Sequence, residues 1–369
     1  MQLDEYFKEL KGKDILCWGE GKHFRNLTYP FLVSSGLVDN LKGFVEANGS
    51  SKTFGDVTYP CMKKADLENC NKNTILLISV VGYQEILSQL ASDPKMAKID
   101  AIPSIYLEAL YEDYLMLTTD MPPVNYRKNP EPQIPKIIHT FWFSDQPDKP
   151  LPEKYQMCLD SWKKYAPDYE IKIWDLSTYH AKNCTFYDQA VEQKYWAFAS
   201  DYARADVLRR YGGIYMDLDV EMLRPIDDLL YNDAYMSFES LNRIECGSGM
   251  GARKGHPIIE EICESYENRP FIKEDGSLDM STCPVRFTKV IEQHGLKKNG
   301  GFQFVDDITI YPFEVLTGKS FDTGIVYRTE RSYTLHHHNG SWVPGTAKDA
   351  LRKRYREIGK FLENRGIEG

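Results

Sequence analysis

The chain reads as an α/β protein in two parts, a small Rossmann-like domain followed by a larger α/β domain, and three observations predict this. Over the first hundred residues apolar runs alternate with helical patterns, and a glycine turn follows the first run. A proline-rich connector, MPPVNYRKNPEPQIP (121–135), then interrupts the pattern. Beyond Lys136 strand and helix signals alternate again, and five of the six tryptophans lie there. Alternating β and α elements build a sheet covered by helices. The expected organisation is residues 1–125 as the Rossmann-like domain, 126–135 as linker, 136–346 as the second α/β domain and 347–369 as a basic C-terminal helix.

In the first domain DILCWGEGKHF carries a strand, Ile15 to Trp18, running into Gly19-x-Gly21. LKGFVEAN carries a second strand ending at Glu46, and NTILLISVV a third, followed by the helical YQEILSQL. Phe24 stands where the third glycine of a dinucleotide fingerprint belongs, so close helix–strand packing over a pyrophosphate is not expected. A tight turn in an accessory domain is the better reading. The prolines of the connector favour extended, loosely packed chain. There are no internal repeats and no low-complexity tract.

Composition narrows the function classes. At 369 residues, 42% hydrophobic and 27% charged, the chain is an ordinary globular protein with room for two or three domains. A formal net charge of −9 argues against nucleic-acid binding, which needs a basic surface. The eight cysteines are scattered without a CxxC pair, as reduced thiols are and as disulfide or zinc frameworks are not. The opening MQLDEYFKELKGKD has no apolar signal core, and no run of about 18 apolar residues exists to span a bilayer. The expectation is a cytoplasmic protein.

Four stretches of the second domain hold polar residues where packing alone would not choose them. In IPKIIHTFWFS (134–144) an apolar strand runs into His139, Thr140, Phe141 and Trp142. Such a strand end is ordinary core, or a flat aromatic platform for a nucleobase. The run DQAVEQKYWAFASDYARADVLRRYGG (188–213) reads as one helix ending at Gly212-Gly213. Within it Ser200, Asp201 and Arg204 sit among small and apolar residues, and Asp201 and Arg204 share a face. A partly buried pair that could hold sugar hydroxyls is expected in preference to a surface ion pair.

The third stretch, RRYGGIYMDLDVEML (209–223), puts two aspartates directly after a buried strand. Strand alternation puts Tyr215, Asp217 and Asp219 on one face. Two carboxylates about 5 Å apart repel by roughly 3 kcal/mol at an effective dielectric of 20. A hard divalent cation, Mg²⁺ or Mn²⁺, removes that penalty and would also neutralise a diphosphate. The fourth stretch, YTLHHHNGSW (333–342), puts His336 and His338 on one strand face and His337 on the other. A neutral imidazole beside the carboxylates completes a metal site. Spacing alone leaves open which histidine serves.

Taken in order, IPKIIHTFWFS, SDYARADVLRRYGGIYMDLDVE and HHHNGSW resemble the DXD-type sugar transferases of glycosyltransferase family 32, to which the large glucosylating cytotoxins are related. The resemblance covers residues 134–342. It implies a GT-A fold for the second domain, a nucleoside-diphosphate-sugar donor and a Mn²⁺ or Mg²⁺ ion. It implies that Trp142 stacks on the nucleobase, with His139, Thr140 and Phe141 beside it in the donor site. Ser200, Asp201 and Arg204 would hold the donor sugar, and Tyr215 and Leu218 would line its pocket. Asp217 would meet the ribose and the metal, Asp219 the metal directly. The family's C-terminal histidine, six residues before its tryptophan, is here His336, a third metal ligand. Ser341 and Trp342 would close over the diphosphate. Asp201, Arg204, Asp217 and Asp219 are the implied catalytic set, and transfer is with retention. ECGSGMGARKGHP (245–257) departs from the polar segment of many relatives, and Gly247 to Gly251 is expected to be a flexible acceptor-side loop.

These readings together predict a retaining hexosyltransferase using a UDP-sugar. Its acceptor would be a saccharide or lipid-linked saccharide, in capsular or surface polysaccharide synthesis. The tail AKDALRKRYREIGKFLENRG (347–366) carries Arg352, Lys353, Arg354, Arg356 and Lys360 with Tyr355 and Phe361 interleaved. It either rests on an anionic membrane or packs on the domain. The rival from another class is a haloacid-dehalogenase-like Mg-dependent phosphatase, with Asp217 as nucleophile, Asp219 as acid/base and FVDDITI (304–310) as its late acidic motif. That motif should open its domain, whereas about 80 residues of domain precede Asp217. A catalytically dead sugar-nucleotide-binding module is the third reading, against which Arg204, Asp217 and Asp219 all speak.

Overall fold

The apolar runs of the first hundred residues become parallel strands in the computed structural model, which describes residues 1–46, 50–146, 150–340 and 345–368. The chain divides into two compact units, residues 1–114 with 353–369, and residues 115–352.

The first unit contains α1 (Leu3–Leu10), β1 (Asp14–Trp18), α2 (Tyr29–Ser34), β2 (Leu41–Val45), β3 (Lys52–Phe54), β4 (Val57–Tyr59), β5 (Cys61–Met62), β6 (Thr74–Ile78), α3 (Tyr83–Ala91), β7 (Asp100–Pro103) and most of α4 (Ser104–Leu117). Five strands form a parallel sheet in the order β5-β2-β1-β6-β7, the Rossmann-like alternation expected. Gly19 makes the turn after β1 at φ +99°, where an added Cβ would stand 2.5 Å from Val80 Cγ1. Phe24 is fully buried, its ring 5.0 Å from that of Phe44 and 4.8 Å from that of Phe54. Aromatic packing thus fills the contact that a third glycine would have left close.

The second unit contains β8 (Ile137–Phe141), α5 (Glu153–Tyr165), β9 (Glu170–Trp174), α6 (Thr185–Glu192), α7 (Trp196–Tyr211), β10 (Gly213–Met216), β11 (Val220–Met222), β12 (Ala234–Ser240), β13 (Arg243–Glu245), β14 (Ser248–Ala252), α8 (Pro257–Glu267), α9 (Cys283–Glu292), β15 (Gln303–Val305), β16 (Ile308–Tyr311), α10 (Phe313–Leu316) and β17 (Thr334–His336). A mixed sheet runs β15-β16-β12-β14-β10-β8-β9, with β13 paired to β12. β11 and β17 form a separate two-stranded ladder. One face of the main sheet packs with α6, α7, α8 and α9, the other with α5 and α10. Successive residues of β8 and β10 alternate between these two cores, Ile138, Ile214 and Met216 in one, Phe141 and Tyr215 in the other.

Three expectations are corrected here, and an open alternative narrows. The proline-rich stretch is not a loose linker: Ile134 is 2% exposed, and the N–H groups of Gln133 and Ile134 both donate to Leu230 O. The run 188–213 is two helices. Lys194 takes φ 60°, Tyr195 N–H donates to Ala190 O and Lys194 N–H to Val191 O, the paired bonds that close a helix C-terminus. Gly247 to Gly251 is no flexible loop, since Ser248–Ala252 is a fully buried strand inside the sheet. An added Cβ on Gly251 would stand 2.4 Å from the Tyr235 ring, so this glycine serves close packing. The tail does form a helix, α11 (Gly345–Arg365), but Ile358, Phe361 and Leu362 are buried. Phe361 meets Tyr6 and Tyr106 edge-on in the first unit, so it is not available to a membrane.

Candidate functional site

Two glycines in left-handed backbone deliver the aspartates. Gly212 (φ 68°) stops α7, its N–H bonded to Leu208 O at 2.8 Å, and Gly213 (φ 109°) opens β10. An added Cβ on Gly213 would stand 2.6 Å from Ile137 O, so only glycine lets β10 lie against β8. The strand ends at Met216, sooner than alternation predicts. Val220 N–H donates to Asp217 O at 3.1 Å, so Asp217-Leu218-Asp219 is a turn between β10 and β11. Leu218 is packed into the core on the α5 side instead of lining a pocket. Both carboxylates turn to β17.

β17 pairs antiparallel with β11, Val220 opposite His336, and His337 N–H donates to Asp219 O at 2.9 Å. This register brings His336 Nε2 to 3.3 Å from Asp219 Oδ1 and 3.9 Å from Asp217 Oδ2. His337 turns away to Glu221 at 3.1 Å, and His338 Nε2–H donates to Lys319 O at 2.9 Å, with its ring against that of His336. Among the described residues, Asp217, Asp219 and His336 are a group of metal-ligating side chains with one ligand atom each, all within 4.8 Å of one another. Two carboxylate oxygens and an imidazole nitrogen suit Mn²⁺ or Mg²⁺. Without the ion the cluster is charged. Burial opposes ionisation of Asp219, but the charge of His336 and the N–H of Asn339 outweigh it and hold the carboxyl well below the usual range. Burial likewise opposes charging His336, and Asp219 and Glu245 together raise it well above the ordinary imidazole value.

Arg204 and Asp201 stand beside this group. Arg204 Nη2 lies 3.0 Å from Asp201 Oδ1 and 3.8 Å from Asp217 Oδ1, so one guanidinium links the two carboxylates. It also donates to Ser200 O, Ser200 Oγ and Cys246 O, each at 3.2 Å, and lies over the Tyr215 ring. Tyr215 Oη donates to Asp217 Oδ1 at 2.5 Å. Asp201 is deeper than a sugar-contacting residue need be, 6% exposed, and its Oδ2 accepts the N–H of Cys283 at the start of α9. Burial pushes its carboxyl up, against the pull of Arg204.

The four residues at the end of β8 separate. His139 is wholly buried, its Nε2 bonded to Gly212 O at 2.9 Å and its Nδ1 accepting from Trp174 at 3.1 Å. Both ring nitrogens being used inside the protein, it is a core residue, which corrects its expected donor contact. Burial lowers its pKa to about 4, so it is neutral. Phe141 packs with Phe143, Tyr179 and Tyr215 and is core as well. Alternation sends Thr140 and Trp142 the other way. Trp142 meets Tyr155 edge-on at 5.8 Å, and its indole N–H is buried without a partner among the described residues, as is Thr140 Oγ1. The negative charge of Asp219 and Asp217 reaches Tyr155, adding to burial in pushing its hydroxyl up to about 12. Ser341 and Trp342 lie outside the described residues.

Glu245 was not singled out in sequence, and Gly247 was read only as the start of an acceptor-side loop. Glu245 is buried, its Oε1 3.2 Å from His336 Nδ1 and its Oε2 accepting the N–H groups of Gly247 at 2.7 Å and Ser248 at 2.5 Å. An added Cβ on Gly247 would stand 2.1 Å from Asp217 Oδ2, and Gly247 O accepts Asp217 N–H at 2.8 Å. The available cue was an isolated acid in the otherwise small and apolar IECGSGMG. The phosphatase reading finds no support: FVDDITI is the β15–β16 hairpin at the sheet edge, with β12 and β14 between it and β10.

Parts of the chain are similar to known proteins. Residues 152–236 match the model of the glycosyltransferase sugar-binding region containing the DXD motif. Inositol phosphoceramide mannosyltransferase 3 of Schizosaccharomyces pombe is 32% identical over 166 residues, 44% of this chain and 45% of that protein. Mannosyl phosphorylinositol ceramide synthase SUR1 of Saccharomyces cerevisiae is 30% identical over 201 residues, 53% of this chain and 46% of that protein. The aligned part thus spans just under half the length of either relative. A solved structure named PaToxG glycosyltransferase covers 51% of this chain and 77% of its own at 18% identity and a TM-score of 0.35. The turn Asp217-Leu218-Asp219 lies inside the matched segment, and residues 152–236 belong to the DXD-containing glycosyltransferase sugar-binding regions.

Proposed function

We propose that the chain is a metal-dependent, retaining hexosyltransferase. It would take a hexose from a nucleoside-diphosphate sugar, a UDP-sugar in the first instance, and pass it to a saccharide or lipid-linked saccharide acceptor of a surface polysaccharide. One observation carries this reading: the DXD carboxylates, His336 and the Arg204–Asp201 pair converge on one spot. The names of the fungal relatives add mannose as a candidate sugar and a glycosylated lipid as a candidate acceptor. A cytoplasmic location belongs to the same proposal, supported by eight cysteines that are all free.

Asp217, Asp219 and His336 would hold a divalent cation, which when bound supplies neutralising charge to a diphosphate. The rest falls to the chain's own groups. Arg204 presents a fixed positive charge beside Asp217, kept in place by Ser200, Asp201 and Cys246, so no reorganisation is needed as charge develops on the leaving group. The indole N–H of Trp142, without a partner among the described residues, offers a donor at a flat apolar wall suited to a nucleobase. In the proposed front-side displacement the acceptor oxygen bonds to the anomeric carbon as the carbon–diphosphate bond breaks. The hydroxyl proton passes to the departing diphosphate oxygen.

A thermal-shift panel of UDP- and GDP-sugars with and without Mn²⁺ tests the reading. A ligand at 100 times its Kd stabilises by about 2.7 kcal/mol, and the expected result is a shift that needs both nucleotide sugar and metal. NMR of the product anomer then decides stereochemistry, an α-linked product from an α-donor being expected. A panel without any metal-dependent shift sinks the proposal, and a β-linkage sinks its retaining part.

A further inference from the structure

We infer that Glu245 is a positioning residue for the metal site, fixing the tautomer and the orientation of His336 so that its Nε2 lone pair faces Asp217 and Asp219. This rests on the metal-dependent reading above and goes beyond it by assigning a residue outside the DXD turn and the histidine segment. Glu245 is 5% exposed and comes from β13, a different hairpin from either ligand strand. Its Oε1 lies 3.2 Å from His336 Nδ1, while its Oε2 is held by two backbone N–H groups, those of Gly247 and Ser248.

The chemistry of the contact sets its direction. An ionised carboxylate accepts hydrogen bonds and cannot donate. With its other oxygen tied to two N–H donors, Glu245 can meet His336 in one way only, by accepting from Nδ1–H. When His336 gives up its second proton to take a metal, the proton that remains is therefore the one on Nδ1, and the lone pair is on Nε2, the nitrogen 3.3 Å from Asp219 and 3.9 Å from Asp217. Ser248 Oγ, 3.1 Å from the same Nδ1, has a hydroxyl that rotates and so imposes no tautomer of its own. A carboxylate behind a metal-bound histidine also raises the basicity of the ligand, and loss of such a partner typically lowers metal affinity about 10–100-fold.

The decisive variant is Glu245→Gln, which keeps size and removes charge. Its single oxygen is claimed by the N–H groups of Gly247 and Ser248, which turns the amide NH₂ to His336 Nδ1. Nδ1 then becomes the acceptor and Nε2 carries the proton, facing the aspartates. Isothermal titration with Mn²⁺ alone should show Glu245→Gln weaker than wild type by about 10–100-fold. Glu221→Gln, which removes an equal charge from the partner of His337, should change affinity by less than about threefold if tautomer and not net charge is at work. In ¹⁵N-histidine NMR of the Mg²⁺-loaded wild type, His336 should carry its proton on Nδ1, a readout that needs no variant to fold. Equal Mn²⁺ affinity in wild type and Glu245→Gln, equal losses in both variants, or a proton on Nε2 overturns the inference alone. Absence of Mn²⁺ binding by the wild type overturns the metal site and this inference with it.

Discussion

Glu239 is where a single side chain has the most to say about pH. It stands on β12, about a fifth exposed, with Arg243 3.5 Å away. Burial pushes its carboxyl up to about 7; Glu245 and Asp322 add to the rise, and Arg243 and His336 oppose it. An acid whose folded pKa exceeds its unfolded value of 4.5 binds its proton more tightly in the folded state. Its contribution is therefore intact below about pH 4.5 and is lost as pH climbs through about 7. The shift corresponds to about 3 kcal/mol at most. Metal-free wild type should lose stability relative to Glu239→Gln between pH 4.5 and 7, and the difference should be flat above pH 8. Urea melts of both proteins across that range check it, and parallel stability curves would remove Glu239 from the account.

At the scale of elements, what was legible depended on period and what was not depended on register. The alternation in IPKIIHTFWFS located β8, and it also separates His139 and Phe141 from Thr140 and Trp142, since odd and even positions enter different cores. His336 was legible through its motif and its face. The end of β10 at Met216 was not, because the turn that follows contains neither glycine nor proline and Leu218 keeps the apolar pattern going. The break before Trp196 was hidden for the same reason, the left-handed residue being Lys194. Glu245 needed the β12–β13 pairing, which no local pattern contains. Element packing also decides how Asp201 should behave. Its carboxylate caps α9 through Cys283 N–H and neutralises Arg204, which is itself 6% exposed. Removing one partner of a buried pair costs about 3–5 kcal/mol. Asp201→Ala should therefore lower thermal stability by that order, whether or not it lowers activity, and a variant melting with the wild type would show that the pair carries no structural weight.

On the scale of the whole molecule, the first unit ends at Tyr114 and not at the expected residue 125, so the proline-rich stretch belongs to the second unit, and the last seventeen residues return to the first. The helix α11 was legible; its destination was not, because its basic residues suggest a solvated or membrane-facing surface while Ile358, Phe361 and Leu362 recur on one buried face. Polar contacts secure it. Tyr83 and Tyr106 both donate to Glu357 Oε2, at 2.6 and 3.0 Å, Arg365 pairs with Asp100, and the N-terminal amine donates to Gly366 O at 2.8 Å. Burying an aliphatic or aromatic side chain stabilises by about 1.5–3 kcal/mol. Ile358, Phe361, Leu362 and Ile367, all under 8% exposed, thus contribute roughly 6 kcal/mol or more, comparable with the stability of an entire domain. Deleting residues 353–369 should leave the first unit unfolded while the second, with the DXD turn and His336 wholly inside it, still folds. Limited proteolysis read by mass spectrometry separates the outcomes: cleavage throughout residues 1–114 with a resistant 115–352 fragment is expected. Equal resistance of both units in the truncated protein would mean that the tail covers the first sheet without holding it together.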